Sequence, residues 1–178
     1  ENMPFYFVQI APFQYGKEKP KGAIIRDQQR IASKIKNSEM VVISDVGDTT
    51  DIHPRQKKPV GERLANIALK NHYKIIDELV EFPVFKKAYK KKKYVYVEFS
   101  FADGLYLKEG DKGYFELAGN DEKFESVSAK IINNKVRLNT KKVDNPKYVR
   151  FAFSNTATPL LLNESNLPAS CFSSQPVK

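Results

Sequence analysis

Hydrophobic and polar residues follow one pattern in the first part of the chain and another after about residue 80. The first part holds two nearly continuous apolar runs, residues 5–10 and 40–43, which are typical of strands buried on both faces of a parallel sheet. Each run is followed by a segment with apolar residues at helical spacing, residues 24–36 and 55–71. In the second segment Val60, Leu64, Ile67 and Ala68 share one face. This alternation of strands and helices predicts an α/β fold for residues 1–79.

The second part, residues 80–178, has the pattern of short strands separated by turns. The Asn133-Asn134 pair lies between two of these strands and indicates a hairpin, because Asn tolerates positive φ. We expect a small antiparallel β-sandwich followed by a proline-containing, loop-like tail over residues 156–178 that wraps back over the fold. The predicted strands cover residues 94–99, 113–118, 126–132, 135–138 and 148–153.

Two strands are too few for an independent α/β sheet. We therefore expect residues 1–79 to be the C-terminal part of a larger α/β domain, with its beginning absent from this sequence.

Composition narrows the functional classes. The 178 residues carry 30 Lys and Arg against 21 Asp and Glu, a net charge of +9, which favours acidic partners. No apolar run approaches the ~18 residues of a membrane-spanning helix, and no signal peptide is expected in this stretch. The chain has one cysteine and two histidines. These are too few for a disulfide framework, and they argue against a Cys/His zinc site.

Six lysines fall within the eight residues 86–93. One interpretation is an electrostatic patch for nucleic acid or an anionic glycan. The other is a solvated linker and strand edge, where lysines prevent unwanted pairing. Because no nucleic-acid-binding motif accompanies the tract, we favour the second interpretation and expect no nucleic-acid partner.

The loop after the second strand carries the residues most suited to catalysis. Ligands of open α/β sheets bind at the carboxyl ends of the strands, and this loop, residues 45–54, contains Asp51 and His53. A carboxylate can hold an imidazole in the tautomer that takes a proton from a nucleophile. The alternative is that Asp51 or Thr50 caps the next helix and His53 packs beside it.

Five stretches of the chain are distinctive. The longest is MVVISDVGDTTDIHPRQKKPVGERLANIAL at residues 40–69, and the shorter ones are PFYFVQIAPF (4–13), IRDQQ (25–29), NPKYVRFAF (145–153) and LLLNESNLPASCF (160–172). In this order and spacing they resemble the C-terminal part of sialate O-acetylesterases, which belong to the SGNH hydrolase superfamily.

The resemblance implies a serine esterase on a flavodoxin-like sheet that removes acetyl groups from sialic acid or a related sugar without a cofactor. His53 would be the general base and Asp51 its acidic partner, with Asp48 and Asp45 as alternatives. Arg26 and Gln29 also match the family, and they would either brace the catalytic loop or lie on the surface.

The family's Gly-x-Ser-Asn-type nucleophile loop and its oxyanion-hole residues have no counterpart in these 178 residues. We therefore expect a C-terminal fragment that is inactive alone and that needs the missing N-terminal α/β part of the same enzyme. The resemblance also implies a periplasmic, secreted or lysosomal location. The alternative function is a non-catalytic module that binds glycan or serves a structural role.

Overall fold

The computed structural model describes residues 3–16, 19–53, 55–110 and 113–178, and it is mostly β with few helices and several sheets. In the first part β1 and β2 pair in parallel, from Phe5 opposite Ser38 to Val8 opposite Val41. A π-helix at Ala68–His72 continues the second helix. The elements of this part are β1 (Phe5–Val8), α1 (Lys21–Ala32), β2 (Ser38–Val41) and α2 (Lys57–Ile67).

Helix α2 packs with the face that its sequence predicts. Val60, Leu64 and Ile67 contact a core built on Met40 and the buried residues 41–43. This face of α2 therefore covers β2 and the segment that follows it. No helix of the described ranges is long and apolar enough to cross a membrane.

Helix α1 buries its charged face and exposes much of its apolar face. Its buried side chains include Arg26, Asp27 and Arg30, while Ile24 and Ile31 are 43% and 45% exposed. The apolar face of this segment therefore does not pack inward, as the apolar faces of helices usually do. The physical reason is that polar groups from the second part of the chain satisfy the buried charges, as described below.

The second part forms two four-stranded antiparallel sheets. One sheet has the order β3-β4-β9-β8 and the other has the order β12-β10-β6-β7, while β5 and β11 form a separate pair. The first sheet contains β3 (Val84–Lys91), β4 (Tyr94–Ser100), β8 (Ala129–Ile132) and β9 (Lys135–Asn139). The second contains β6 (Phe115–Ala118), β7 (Glu125–Ser126), β10 (Tyr148–Phe151) and β12 (Phe172–Pro176). The short pair is β5 (Tyr106–Leu107) with β11 (Leu161–Leu162).

An aromatic cluster joins the two four-stranded sheets. The ring of Phe99 on β4 lies 6.5 Å from that of Phe115 on β6 and 6.0 Å from that of Phe151 on β10. Phe172 on β12 completes the cluster, with its ring 6.1 Å from that of Phe99. Apolar burial of this kind is the dominant favourable contribution to folding, so the cluster holds the sheets face to face.

Two expectations for the second part are corrected. The lysine tract is not a linker, because residues 84–91 form β3, which pairs with β4 along its length. Its interpretation as a strand edge is confirmed, because β3 lies at the edge of its sheet. The tail is not loop-like throughout, because β12 pairs with β10 as an edge strand of its sheet. The division into 1–79 and 80–178 stays a prediction, as does the flavodoxin-like assignment of the first part.

Glu39 on β2 generates a prediction about pH. Burial, and next the nearby carboxylate of Glu81, raise the pKa of Glu39 above its ordinary value near 4.5. The folded chain then binds this proton more tightly than the unfolded chain, so stability falls as pH rises through the window above 4.5. We expect Glu39→Gln to raise the free energy of unfolding at neutral pH, with the gain disappearing at acidic pH where Glu39 is protonated in both states.

Urea unfolding from acidic to neutral pH measures this gain. The exposed Glu125→Gln is the control and should change stability little at any pH. A gain for Glu39→Gln that is equal at all pH values would contradict the assignment of the effect to this carboxyl group.

Candidate active site

The loops after β1 and β2 lie at the same edge of the parallel pair. The backbone N–H of Gln14 donates to the carbonyl of Thr49 over 3.1 Å. Gly47 lies against Ala11 and Pro12. A Cβ atom added to Gly47 would lie 3.4 Å from Pro12 Cδ. The loop with the candidate catalytic residues is therefore packed against the loop that follows β1.

Asp45 is engaged by Arg63 of α2. Arg63 Nη1 donates to Asp45 Oδ1 over 2.8 Å and to the carbonyl of Val42 over 2.9 Å, while Nη2 donates to the other carboxylate oxygen. The guanidinium also lies over the ring of Phe82, 5.7 Å from its centroid. This bidentate pair connects the end of the β2 segment to α2 and uses both Asp45 oxygens.

Asp48 organises its own turn. Its Oδ1 accepts hydrogen bonds from the backbone N–H and the hydroxyl of Thr50, over 2.8 and 2.7 Å. The backbone bond to Thr50, and next the hydroxyl bond, lower the pKa of Asp48. Asp48 is thus held as a carboxylate, and its hydrogen bonds from Thr50 fix the turn that precedes Asp51.

Asp51 and His53 lie side by side. His53 Nδ1 is 3.7 Å from Asp51 Oδ1, which is ion-pair range but longer than a hydrogen bond. The same Oδ1 accepts the backbone N–H of His53 over 2.9 Å, which fixes the turn. The imidazole is 84% exposed and is therefore accessible to groups from outside these residues. Pro54, which follows in the motif, lies outside the described residues.

A single asparagine of the second part braces the loop after β1. Asn155 Oδ1 accepts the backbone N–H of Gly22, and its Nδ2 donates to the carbonyls of Gly16 and Lys19, both over 3.1 Å. The backbone N–H of Phe13 donates to the carbonyl of Asn155 over 3.0 Å. Sequence reasoning missed Asn155, because nothing near residue 155 indicates a contact more than 130 positions away.

Arg26 is part of the same brace. Its Nη2 donates to the carbonyl of Ser154 over 2.6 Å, and it is 2% exposed. Gln29, its partner in the predicted pair, bonds instead to the backbone of Val8 and Ile10. The surface alternative for Arg26 is therefore wrong, and its side chain contacts residues 154–155, which also bond to the loop after β1.

No serine hydroxyl within the described ranges is hydrogen-bonded to His53. Ser44, the serine nearest in sequence, is 6% exposed and its hydroxyl has no described hydrogen-bond partner. The described residues also hold no group of three His, Cys, Asp or Glu side chains placed to bind a metal ion. The arrangement thus offers a base with an adjacent carboxylate, and the chemistry still needs a nucleophile.

Comparison with solved structures finds similar chains. The chain is similar to a carbohydrate acetylesterase from Xanthomonas citri, with 32% sequence identity and a TM-score of 0.87. The match covers 96% of this chain and 41% of that one, so the chain spans less than half the length of this neighbour. No protein-family model matches the chain. No curated protein matches it either.

The Asp45–Arg63 pair generates the second prediction. Its side chains are only 16% and 12% exposed, so removing one charge leaves the other poorly solvated. We expect Arg63→Gln to lower the free energy of unfolding by roughly 2–4 kcal/mol. The double variant Asp45→Asn/Arg63→Gln should cost less than the sum of the two single changes.

Urea unfolding of the wild type and the three variants measures the coupling. The matched control is the exposed pair Lys58 and Glu62, whose contact is 3.7 Å, where Lys58→Gln should cost less than about 0.5 kcal/mol. Strict additivity of Asp45→Asn and Arg63→Gln would show that the two groups do not stabilise the loop as a pair.

Proposed function

We propose that this chain is the part of a carbohydrate acetylesterase that carries the general base. The observation that carries the proposal is the Asp51–His53 arrangement in a loop at the carboxyl end of a parallel strand, in a chain similar over 96% of its length to an acetylesterase. His53 would take the proton of a serine hydroxyl as that oxygen attacks the acetyl carbonyl. The imidazolium would then protonate the departing sugar oxygen, and the neutral base would activate the water that releases acetate.

Asp51 is the orienting carboxylate of this proposal. Asp45 has both oxygens on Arg63, and Asp48 accepts two bonds from Thr50. Asp51 is the carboxylate within ion-pair range of Nδ1. Its present distance of 3.7 Å must shorten for a hydrogen bond, and such shortening is common when a catalytic site is completed.

The serine and the oxyanion hole would come from outside these 178 residues. The neighbour is more than twice as long as the matched region, which leaves room for them. We propose a flavodoxin-like SGNH sheet in the complete enzyme, with O-acetylated sialic acid or a related sugar as substrate. Such enzymes act in periplasmic, secreted or lysosomal compartments, and we propose the same for this protein.

The first part presents a surface suited to the rest of such a domain. Strand β1 pairs only with β2 in the described chain, so its other edge is open. In the same part of the chain, Phe5 of β1 is 63% exposed and Ile25 of α1 is 46% exposed. Parallel sheets are normally covered on both faces, so an added parallel strand and helix of the same enzyme would bury these apolar side chains.

The third prediction concerns catalysis. We expect no hydrolysis of 4-nitrophenyl acetate above background by this chain alone, and hydrolysis when it is joined to the N-terminal α/β part encoded in its parent reading frame. His53→Ala in the joined protein should lower kcat/KM by about a thousandfold or more, because the nucleophile loses its base. His72→Ala, at the other exposed histidine of the same part, is the control and should leave the rate unchanged.

Each other outcome revises the proposal in a defined way. Turnover by this chain alone that depends on His53 would show that a serine within these residues is the nucleophile. Binding of O-acetylated sialic acid without turnover by the joined protein would support a non-catalytic glycan-binding module instead.

A further inference from the structure

The lysine tract divides into paired and unpaired groups. Lys87 and Lys135 flank the carboxylate of Glu98, with nitrogen–oxygen distances of 3.3 and 2.7 Å. Lys90, Lys92 and Lys93 form no ion pair with any carboxylate of the described residues. These three unpaired charges lie at or next to the tip of the β3–β4 hairpin.

These unpaired lysines line a cleft. The hairpin tip forms one wall and the segment after β9 forms the other, which carries Lys141 and Asp144. The cleft has a volume of about 550 Å³, which lies in the range of small-molecule sites. Its four lysines and one aspartate give it a net charge of +3 (4 − 1).

Hydrogen bonds fix the two walls relative to each other. Thr140 Oγ1 donates to the carbonyl of Lys93 over 3.0 Å, and Lys90 Nζ donates to the carbonyl of Asp144 over 3.3 Å. Within the second wall, the side chain of Asn139 accepts the backbone N–H of Lys141 over 2.9 Å. A charged ligand would thus meet a cleft whose backbone is already ordered, which lowers the entropic cost of binding.

The hairpin turn holds a lysine in an unfavourable backbone conformation. Lys92 has a φ of +54°, a region that favours Gly and Asn. The β8–β9 hairpin uses Asn133 and Asn134 in the same region, with φ of +49° and +56°. Local backbone preference explains Asn in that turn but not Lys in the β3–β4 turn, where the side chain contributes its charge.

We propose that this cleft binds an acidic oligosaccharide through its carboxylate or sulfate groups. A nucleic acid fits less well, because single-stranded bases need an open aromatic face for stacking. The ring of Tyr94 in the cleft is covered instead, with the guanidinium of Arg137 4.5 Å and the ammonium of Lys93 5.8 Å from its centroid. The choice of a saccharide rests on the proposed function, whereas the anion site rests on the cleft alone.

Binding titrations of this chain test the proposal directly. The probes are a heparin octasaccharide for sulfate, an oligogalacturonate for carboxylate, neutral dextran, and a single-stranded DNA oligonucleotide. We expect the two acidic saccharides to bind, dextran not to bind, and affinity to fall between about 50 mM and about 200 mM salt because the contacts are ionic.

Two variants with equal charge loss locate the site. Lys92→Gln/Lys141→Gln removes one lysine from each wall, and we expect the saccharide affinity to fall about tenfold. Lys123→Gln/Lys130→Gln removes two exposed lysines elsewhere on the second part and should change the affinity by less than about twofold. An equal loss in both variants would overturn the site, since net charge alone would then explain binding.

The remaining outcomes are equally decisive. Tighter binding of the DNA than of either acidic saccharide would overturn the ligand class. Absence of binding by both saccharides at low salt would overturn the site itself. Neither result depends on His53 or on hydrolysis, so failure here is distinguishable from failure of the proposed esterase function.

Discussion

The orientation of helix α1 depends on a network of buried charged and polar groups between the two parts of the chain. Asp27, 3% exposed, accepts hydrogen bonds from Arg30 and from the hydroxyl of Ser173 on β12. Gln9 donates to the carbonyl of Arg26 and to the hydroxyl of Ser170. Buried charges are costly unless they are paired and fully hydrogen-bonded, so this network permits few arrangements of the two parts.

The same network determines what the first part exposes. A helix with its polar face buried must present its apolar face elsewhere, and Ile24, Ile25 and Ile31 accordingly lie on the outside. Strand β1, which pairs only with β2 among the described residues, also leaves one edge open. The buried polar contacts of α1 and its exposed isoleucines therefore have the same cause, which is the side of the helix that faces the rest of the chain.

Local features of the fold were predictable from the sequence, and long-range ones were not. The apolar period of α2 indicated its buried face, and the alternation in β4 matches its alternating burial. Strand β12 was missed because its sequence, FSSQP, lacks β-branched residues and ends in proline. The lysine tract indicated a strand edge, but the full length of β3 was not predicted because lysines disfavour strands, and pairing with β4 outweighs this preference.

The candidate site follows the same division. Asp51 and His53 are two positions apart, so their proximity was predictable from the loop alone. Asn155 and Arg26 come from distant segments, and only the folded chain brings them to the loop after β1.

The second part of the chain belongs to the architecture of the candidate site. The side chain of Asn155 bonds to Gly16, Lys19 and Gly22, which precede or begin α1. Gln14, which precedes Gly16 in the same segment, donates its backbone N–H to the carbonyl of Thr49 in the loop that contains Asp51. Because each step is a hydrogen bond between backbone or short side-chain groups, a displacement of the 154–155 turn would be transmitted to the loop that holds His53. The β sheets would therefore contribute to positioning His53 in its proposed role as the base.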